Sequence, residues 1–145
     1  MEIVKIDSFR GDYEFLSNFY ESPVTYNGLT FRNSEAAFQA QKCEMPAIKE
    51  RFVNMSASQA KKYGRQVLLR RDWELVKDDT MYEAVKAKFT QNKGLAEKLL
   101  ATGNAYLEEG NNWNDTYWGT VRGVGQNKLG KILMQVREEL RQGGF

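Results

Sequence analysis

Histidine is absent from this 145-residue chain, cysteine occurs once and proline twice. Without histidine there is no Ser–His or Cys–His pair, and any acid, base or nucleophile must come from Glu, Asp, Lys, Tyr or Cys43. One cysteine excludes an internal disulfide, and one Cys without His excludes the usual zinc constellations. Cys43 therefore reads as a core or edge residue, and no metal or cofactor is expected. Charge of one sign is also missing: 21 Lys and Arg stand against 19 Asp and Glu, a net of +2. That balance does not announce a nucleic-acid binder, although it permits contact with a phosphate-bearing ligand. No apolar run approaches the ~18 residues of a membrane span, and Met1-Glu2-Ile3-Val4-Lys5 lacks a signal peptide's apolar stretch. A cytoplasmic protein with no membrane partner is expected.

What is present is a generous 12% of aromatic residues, the rings a pocket uses to hold a flat base. The length suits one domain covering residues 1–145. Ile3–Ile6 reads as a short strand, and Phe9–Asn18 as a strand running into a loop. Asn18, between Leu16 and Phe19, is either a turn former bonding its own backbone or a hook for a ligand. Pro23–Tyr26, Asn27-Gly28 and Leu29–Phe31 predict a β-hairpin, because Asn-Gly fits a two-residue turn between β-prone arms. The hairpin delivers the chain to a helix opening at Ser34, capped by Asn33 or Ser34. Further helices are expected over 47–54, over 56–64 with Ser56 as cap, from Asp79 or Thr80 to Gln91, over 95–102, and over 128–141. Val67–Leu69 is a short strand or an extended link, and Asp72-Trp73 an N-cap followed by a core anchor. Ala105–Glu108 is β-like. The expected fold is α+β, mostly helical, with a small antiparallel hairpin near the N-terminus.

Two stretches carry chemistry. At about 100° per residue, Glu35, Gln39 and Lys42 share one helix stripe, so a carboxylate, an amide and an amine point the same way. Phe38 and the alanines beside them suggest that this side faces other protein rather than solvent. Residues 109–125 have no periodicity but hold Trp113, Asp115, Tyr117, Trp118 and Gly119, a ring wall and a carboxyl group in one loop. Gly125–Lys131 satisfies seven positions of a phosphate-binding P-loop, yet Ile132 has no hydroxyl for magnesium and already belongs to the last helix's apolar stripe. The remaining alternatives there are a phosphate or ribose hydroxyl at the amides around Gly123 and Gly125, or a plain tight turn.

With these residues in view, the chain resembles the NADAR (YbiA-like) family of N-glycosidases. The matching blocks are Phe15–Phe19, Ser34–Lys42, Arg71–Trp73, Lys88-Phe89, Leu99–Gly103, Asn114–Gly119, Gly125–Gly130 and Leu133–Arg137. The resemblance implies hydrolysis of an N-glycosidic bond to ribose, either in phosphoribosylamino-pyrimidine intermediates of riboflavin synthesis or in ADP-ribosylated guanine, as nucleotide or DNA. Carried over by motif, Glu35, Lys42 and Asp115 are the catalytic candidates and Asn18, Trp118 and Asn127 line the pocket. Phe19, Arg32, Gln39, Gly119 and Gly125 complete the substrate-binding set. The implied partner is a small nucleotide-like molecule with a ribose phosphate, or ADP-ribosylated DNA. The alternative is a module that binds ADP-ribose or another NAD-derived ligand without turnover. One departure is Ala36, where riboflavin-linked bacterial members carry His, which leans the chain away from their substrate. Because a ribose on an exocyclic amine can open to an imine, a neutral Lys42 suits attack at the anomeric carbon, with Glu35 or Asp115 moving protons. Direct attack by water between two carboxylates is the competing route.

Overall fold

A computed structural model of the chain describes residues 2–143. In chain order the elements are β1 (Lys5–Ile6), a 3-10 helix (Gly11–Leu16), β2 (Glu21–Tyr26), β3 (Leu29–Asn33), α1 (Ser34–Ala40) and α2 (Pro46–Glu50). They continue with α3 (Ala57–Gly64), α4 (Trp73–Gln91), α5 (Lys93–Ala101), β4 (Tyr106–Leu107) and α6 (Lys128–Arg141). The fold is α+β and mostly helical, as expected. Its contacts form two compact units, Asn18–Asn92 and the residues before and after that span. Among the described residues, no helix is long and apolar enough to cross a membrane.

In the Asn18–Asn92 unit the hairpin forms as predicted. Asn27 (φ 51°) and Gly28 (φ 82°) take the left-handed conformations of a tight two-residue turn. The β2–β3 register slips by one residue between Glu21 and Val24, at Pro23, which has no N–H for the ladder. Val24 and Phe31 then pack with Ala36, Ala37, Ala40, Cys43, Phe52 and Ala60 in one buried cluster. The small residues of α1 let its neighbours approach closely, so every residue of α1 is buried. Ser56 caps α3 in a reciprocal capping box with Gln59.

Three expectations in this unit need correction. Helix α4 starts at Trp73, not near Asp79: Trp73 is buried and a Glu74–Lys77 ion pair of 2.8 Å braces the first turn. Asp72 occupies its N-cap position without capping, because its carboxylate pairs with Arg70 at 2.6 Å. The second helix ends at Glu50 instead of Asn54, with turns beyond it; Val67–Leu69 forms no strand, which leaves the link of its two alternatives.

In the other unit, β1 and β4 form a parallel pair, Lys5 opposite Tyr106 and Ile6 opposite Leu107, a pairing with no local sequence signature. Phe9–Asn18 is not a strand. Gly11 enters with φ 58° and the chain tightens into a 3-10 helix that buries Phe15 and Leu16. Helix α6 packs on α5 and β4 through Leu129, Ile132, Leu133 and Val136, while Leu140 is only half-buried.

Candidate functional site

The Glu35 helix is held at its N-terminus by two asparagines. Asn33 Oδ1 accepts the Ala36 N–H at 2.7 Å, a conventional cap, and Asn33 Nδ2 donates to Glu21 Oε2 at 2.9 Å. Asn18 does not bond its own backbone. Its Oδ1 accepts from Ser34 Oγ at 2.8 Å, its backbone oxygen accepts the Glu35 N–H at 3.1 Å, and its Nδ2 donates to the Met81 thioether at 3.3 Å. Sulfur is a weak acceptor. Asn18 therefore fixes where Glu35 starts while its amide N–H groups stay the least strongly held in the cluster.

One turn on, Glu35 and Gln39 share the helix face as expected, but the helix ends at Ala40 and Lys42 falls in the turn beyond it. Gln39 Nε2 donates to Glu35 Oε2 at 2.7 Å, both side chains being buried. Because an ionised carboxylate only accepts, this bond fixes which way the amide points, and Gln39 Oε1 is left buried without a partner among the described residues. That oxygen faces Gly64 at the end of α3, where even a methyl group would lie 2.0 Å away. Lys42, half-buried in the turn after α1, donates to Gly64 O at 3.3 Å. Desolvation pulls its pKa below the ordinary lysine value; the Glu35 charge opposes this and the Arg65 charge reinforces it. Ala36 lies in the buried cluster and not on this stripe.

Other candidates in this unit are placed differently. Arg32 is engaged by Glu21 and by Asn54 O at 2.8 Å, and Phe19 is 44% exposed with the Lys61 ammonium 5.8 Å from its ring. Lys88, part of a matched block but given no role by the sequence, stands out here. It is 1% exposed on α4, its Nζ lies 5.6 Å from the Tyr20 ring, and burial lowers its pKa to about 7. The available signal was a lysine on the apolar stripe Met81, Ala84, Val85, Phe89.

In the other unit, residues 109–127 form a loop tied by its own polar groups. Asp115 Oδ1 accepts from the N–H groups of Tyr117 (3.0 Å) and Trp118 (2.9 Å), and Asn111 brackets Asp115 through both its N–H and its C=O. The half-buried Trp118 meets Tyr117 edge-on at 4.8 Å. Asn127, left-handed with φ 51° and buried, accepts from Glu109 N–H and donates to Leu107 O and Tyr106 Oη. The amides of residues 126–129 already bond to carbonyls of 116–119, so they are not open to a phosphate, and the tight-turn reading accounts for them. Gly119 and Gly125 are required by close backbone approach: a Cβ would fall 2.1 Å from Glu109 O and 2.3 Å from Gly119 O, respectively. Among the described residues, no group of three or more Cys, Asp or Glu is arranged to hold a metal ion.

Comparison with known proteins gives a consistent set of matches. The family model described as the NADAR domain matches residues 7–141. A riboflavin biosynthesis protein of Vibrio vulnificus is 39% identical over 135 residues, covering 90% of this chain and 36% of that protein. N-glycosidase YbiA of Escherichia coli is 40% identical over 142 residues, covering 95% of this chain and 88% of that one. The NMR structure of E. coli YbiA superimposes with a TM-score of 0.84 at 39% identity, covering 99% of this chain and 87% of that chain.

Proposed function

Because the chain belongs to the NADAR domain family, we propose that it is an N-glycosidase hydrolysing the bond between a ribose and an exocyclic amine, with Lys42 as the amine nucleophile. The observation that carries this reading is Lys42 itself: a half-buried lysine, lowered in basicity by desolvation, in the turn that directly follows the helix of the buried Glu35–Gln39 pair and 3.3 Å from Gly64 O. The names of relatives, N-glycosidase and riboflavin biosynthesis protein, support the reaction class. The substrate is a small, ribose-phosphate-bearing nucleotide in the cytoplasm, either a phosphoribosylamino-pyrimidine or an ADP-ribosylated guanine.

The chemistry balances without a cofactor. The ribosylamine opens to an imine at C1′, and the ring oxygen takes up a proton. The neutral Lys42 amine adds to C1′, a proton passes to the departing nitrogen, and the base leaves as its free amine, so that C1′ is now joined to Lys42 as a Schiff base. Water adds to that carbon, and collapse of the carbinolamine returns Lys42 as an amine and releases the sugar. Glu35 is the carboxylate that moves these protons, and Asp115 is a second catalytic candidate by its family motif. Lys88 is the more strongly perturbed amine, but at 1% exposure it is closed to substrate.

A second reading within the same chemistry takes ADP-ribosylated DNA as substrate. It is favoured by the segment Arg51–Arg71, which holds six basic residues (51, 61, 62, 65, 70 and 71) and no acidic one, although Arg70 pairs with Asp72 just beyond it. Binding to such DNA should weaken steeply with salt, and a flat response excludes it.

The test is product analysis on a phosphoribosylamino-pyrimidine and on ADP-ribosylated guanosine with wild type and Lys42→Ala. Release of one base by wild type and not by the variant is expected. Ligand binding without release of either base contradicts the reading in favour of a binding module.

A further inference from the structure

The orphaned oxygen of Gln39 has an address. Its amide is locked by Glu35 through Nε2 at 2.7 Å, so Oε1 must face the end of α3. There it presses on Gly64, whose missing side chain is what lets the amide stand at this position. The Lys42 amine reaches the same residue from the turn after α1, at a long 3.3 Å from Gly64 O, and with further N–H donors to place. A buried acceptor without a donor and a half-buried amine with spare donors thus converge on one glycine. An unmade buried hydrogen bond is costly enough to demand a reason.

We infer that Gln39 is a positioning residue for Lys42: its Oε1 is the second acceptor for the amine, reached by rotation about the last torsions of the lysine. A neutral primary amine is tetrahedral, with one bond to Cε, two to hydrogen and one lone pair. When the two hydrogens are held by Gly64 O and Gln39 Oε1, the lone pair has a single remaining direction, away from both oxygens. Glu35 acts through Gln39 here, since its carboxylate sets the amide's orientation. Gly64 acts by having no Cβ, because a methyl group 2.0 Å from Oε1 must drive the amide off the lysine. This inference rests on Lys42 being the nucleophile, and the first part of its test needs no substrate.

The test compares wild type, Gln39→Leu, Gln39→Asn, Gly64→Ala and the Gln39→Leu/Gly64→Ala double variant. The first readout is the rate at which an amine-acylating reagent modifies Lys42, followed by peptide mass spectrometry across pH. The other groups that bear on Lys42, namely Glu35, Arg65 and Cys43, are retained in every variant, while Glu35 loses the Gln39 N–H in the Leu variants. Loss of an acceptor that favours the ammonium moves the labelling midpoint to lower pH in each variant, by the same amount in the double as in either single. Asn, one carbon short, must behave as Leu does; restoration by Asn reveals a merely structural polar requirement and overturns the proposal. The second readout is turnover, where misaiming lowers kcat by about 10²-fold with KM little changed, again without addition in the double variant. Unchanged Lys42 labelling in Gln39→Leu, or effects that multiply in the double variant, contradicts the inference. If wild type turns over neither candidate substrate yet the labelling midpoints shift together, the glycosidase reading falls and the positioning role stands. Should Gly64→Ala fail to fold, the two Gln39 variants decide the matter through labelling alone.

Discussion

Along the Glu35 helix and the turn after it, among the described residues, Gln39 keeps a buried oxygen without a donor and Lys42 makes a long hydrogen bond to Gly64 O. In the 109–127 loop three polar side chains are committed: Asn111 brackets Asp115, Asp115 Oδ1 takes two backbone N–H groups, and Asn127 makes three bonds. Both regions are rich in amides and carboxylates, so composition does not separate them. Satisfaction does. A side chain whose capacity is used up holds a shape, whereas one buried with capacity left over is kept in an unfavourable state by its surroundings, the condition expected of groups that do chemistry. Asp115 stands between the two kinds, since only its Oδ1 is used in the turn.

Substitutions can break this contrast. The largest effect falls on Lys42→Ala, which should lower turnover by about 10³-fold or more, the order seen when a covalent nucleophile is removed, with the melting temperature nearly unchanged. Next is Asp115→Asn. Asparagine keeps an oxygen for the Tyr117 and Trp118 N–H groups, so the loop should survive while turnover falls by about 10²-fold or more through loss of the second carboxylate oxygen. A thermal melt alongside steady-state kinetics checks both halves; lost stability with intact kcat would put Asp115 wholly among the shape-holding groups. Asn127→Ala should do the converse, costing about 2–4 kcal/mol in chemical denaturation, because it removes three hydrogen bonds and leaves alanine in a left-handed conformation.

The last prediction concerns Lys88, which bears on stability and not on turnover, and its sign follows from linkage. Burial lowers its folded pKa to about 7 from an unfolded value near 10.5, so between these pH values the unfolded chain binds the extra proton. Stability must therefore rise with pH across that window, the full penalty being present below about pH 7. Lys88→Met should flatten the rise and raise stability most on the acid side, as measured by denaturation midpoints at several pH values. A slope that persists in Lys88→Met assigns it to other groups.

Much of this was legible in the sequence. Asn27-Gly28, the Asn33 cap and the apolar stripe of α6 are local signals, and each lies where local rules put it. The Glu35–Gln39 bond was legible too, because residues four apart on a helix meet whatever surrounds them. What stayed hidden was set by partners distant in sequence. The β1–β4 pairing joins residues about a hundred positions apart, and nothing in Phe9–Leu16 revealed that it has no strand to pair with. Gly64 looked like a helix stop, and its proximity to Gln39 emerges only when α3 packs on α1. The basic residues looked dispersed in the totals, although six of them fall between 51 and 71 with no acid among them.

The most direct test of Lys42 as an amine nucleophile is borohydride reduction during turnover, followed by peptide mapping. The account predicts a sugar-derived mass on the peptide containing Lys42 and loss of activity in step with its formation. Continued turnover under reduction with no lysine adduct, or an adduct on Lys88 instead, would contradict it.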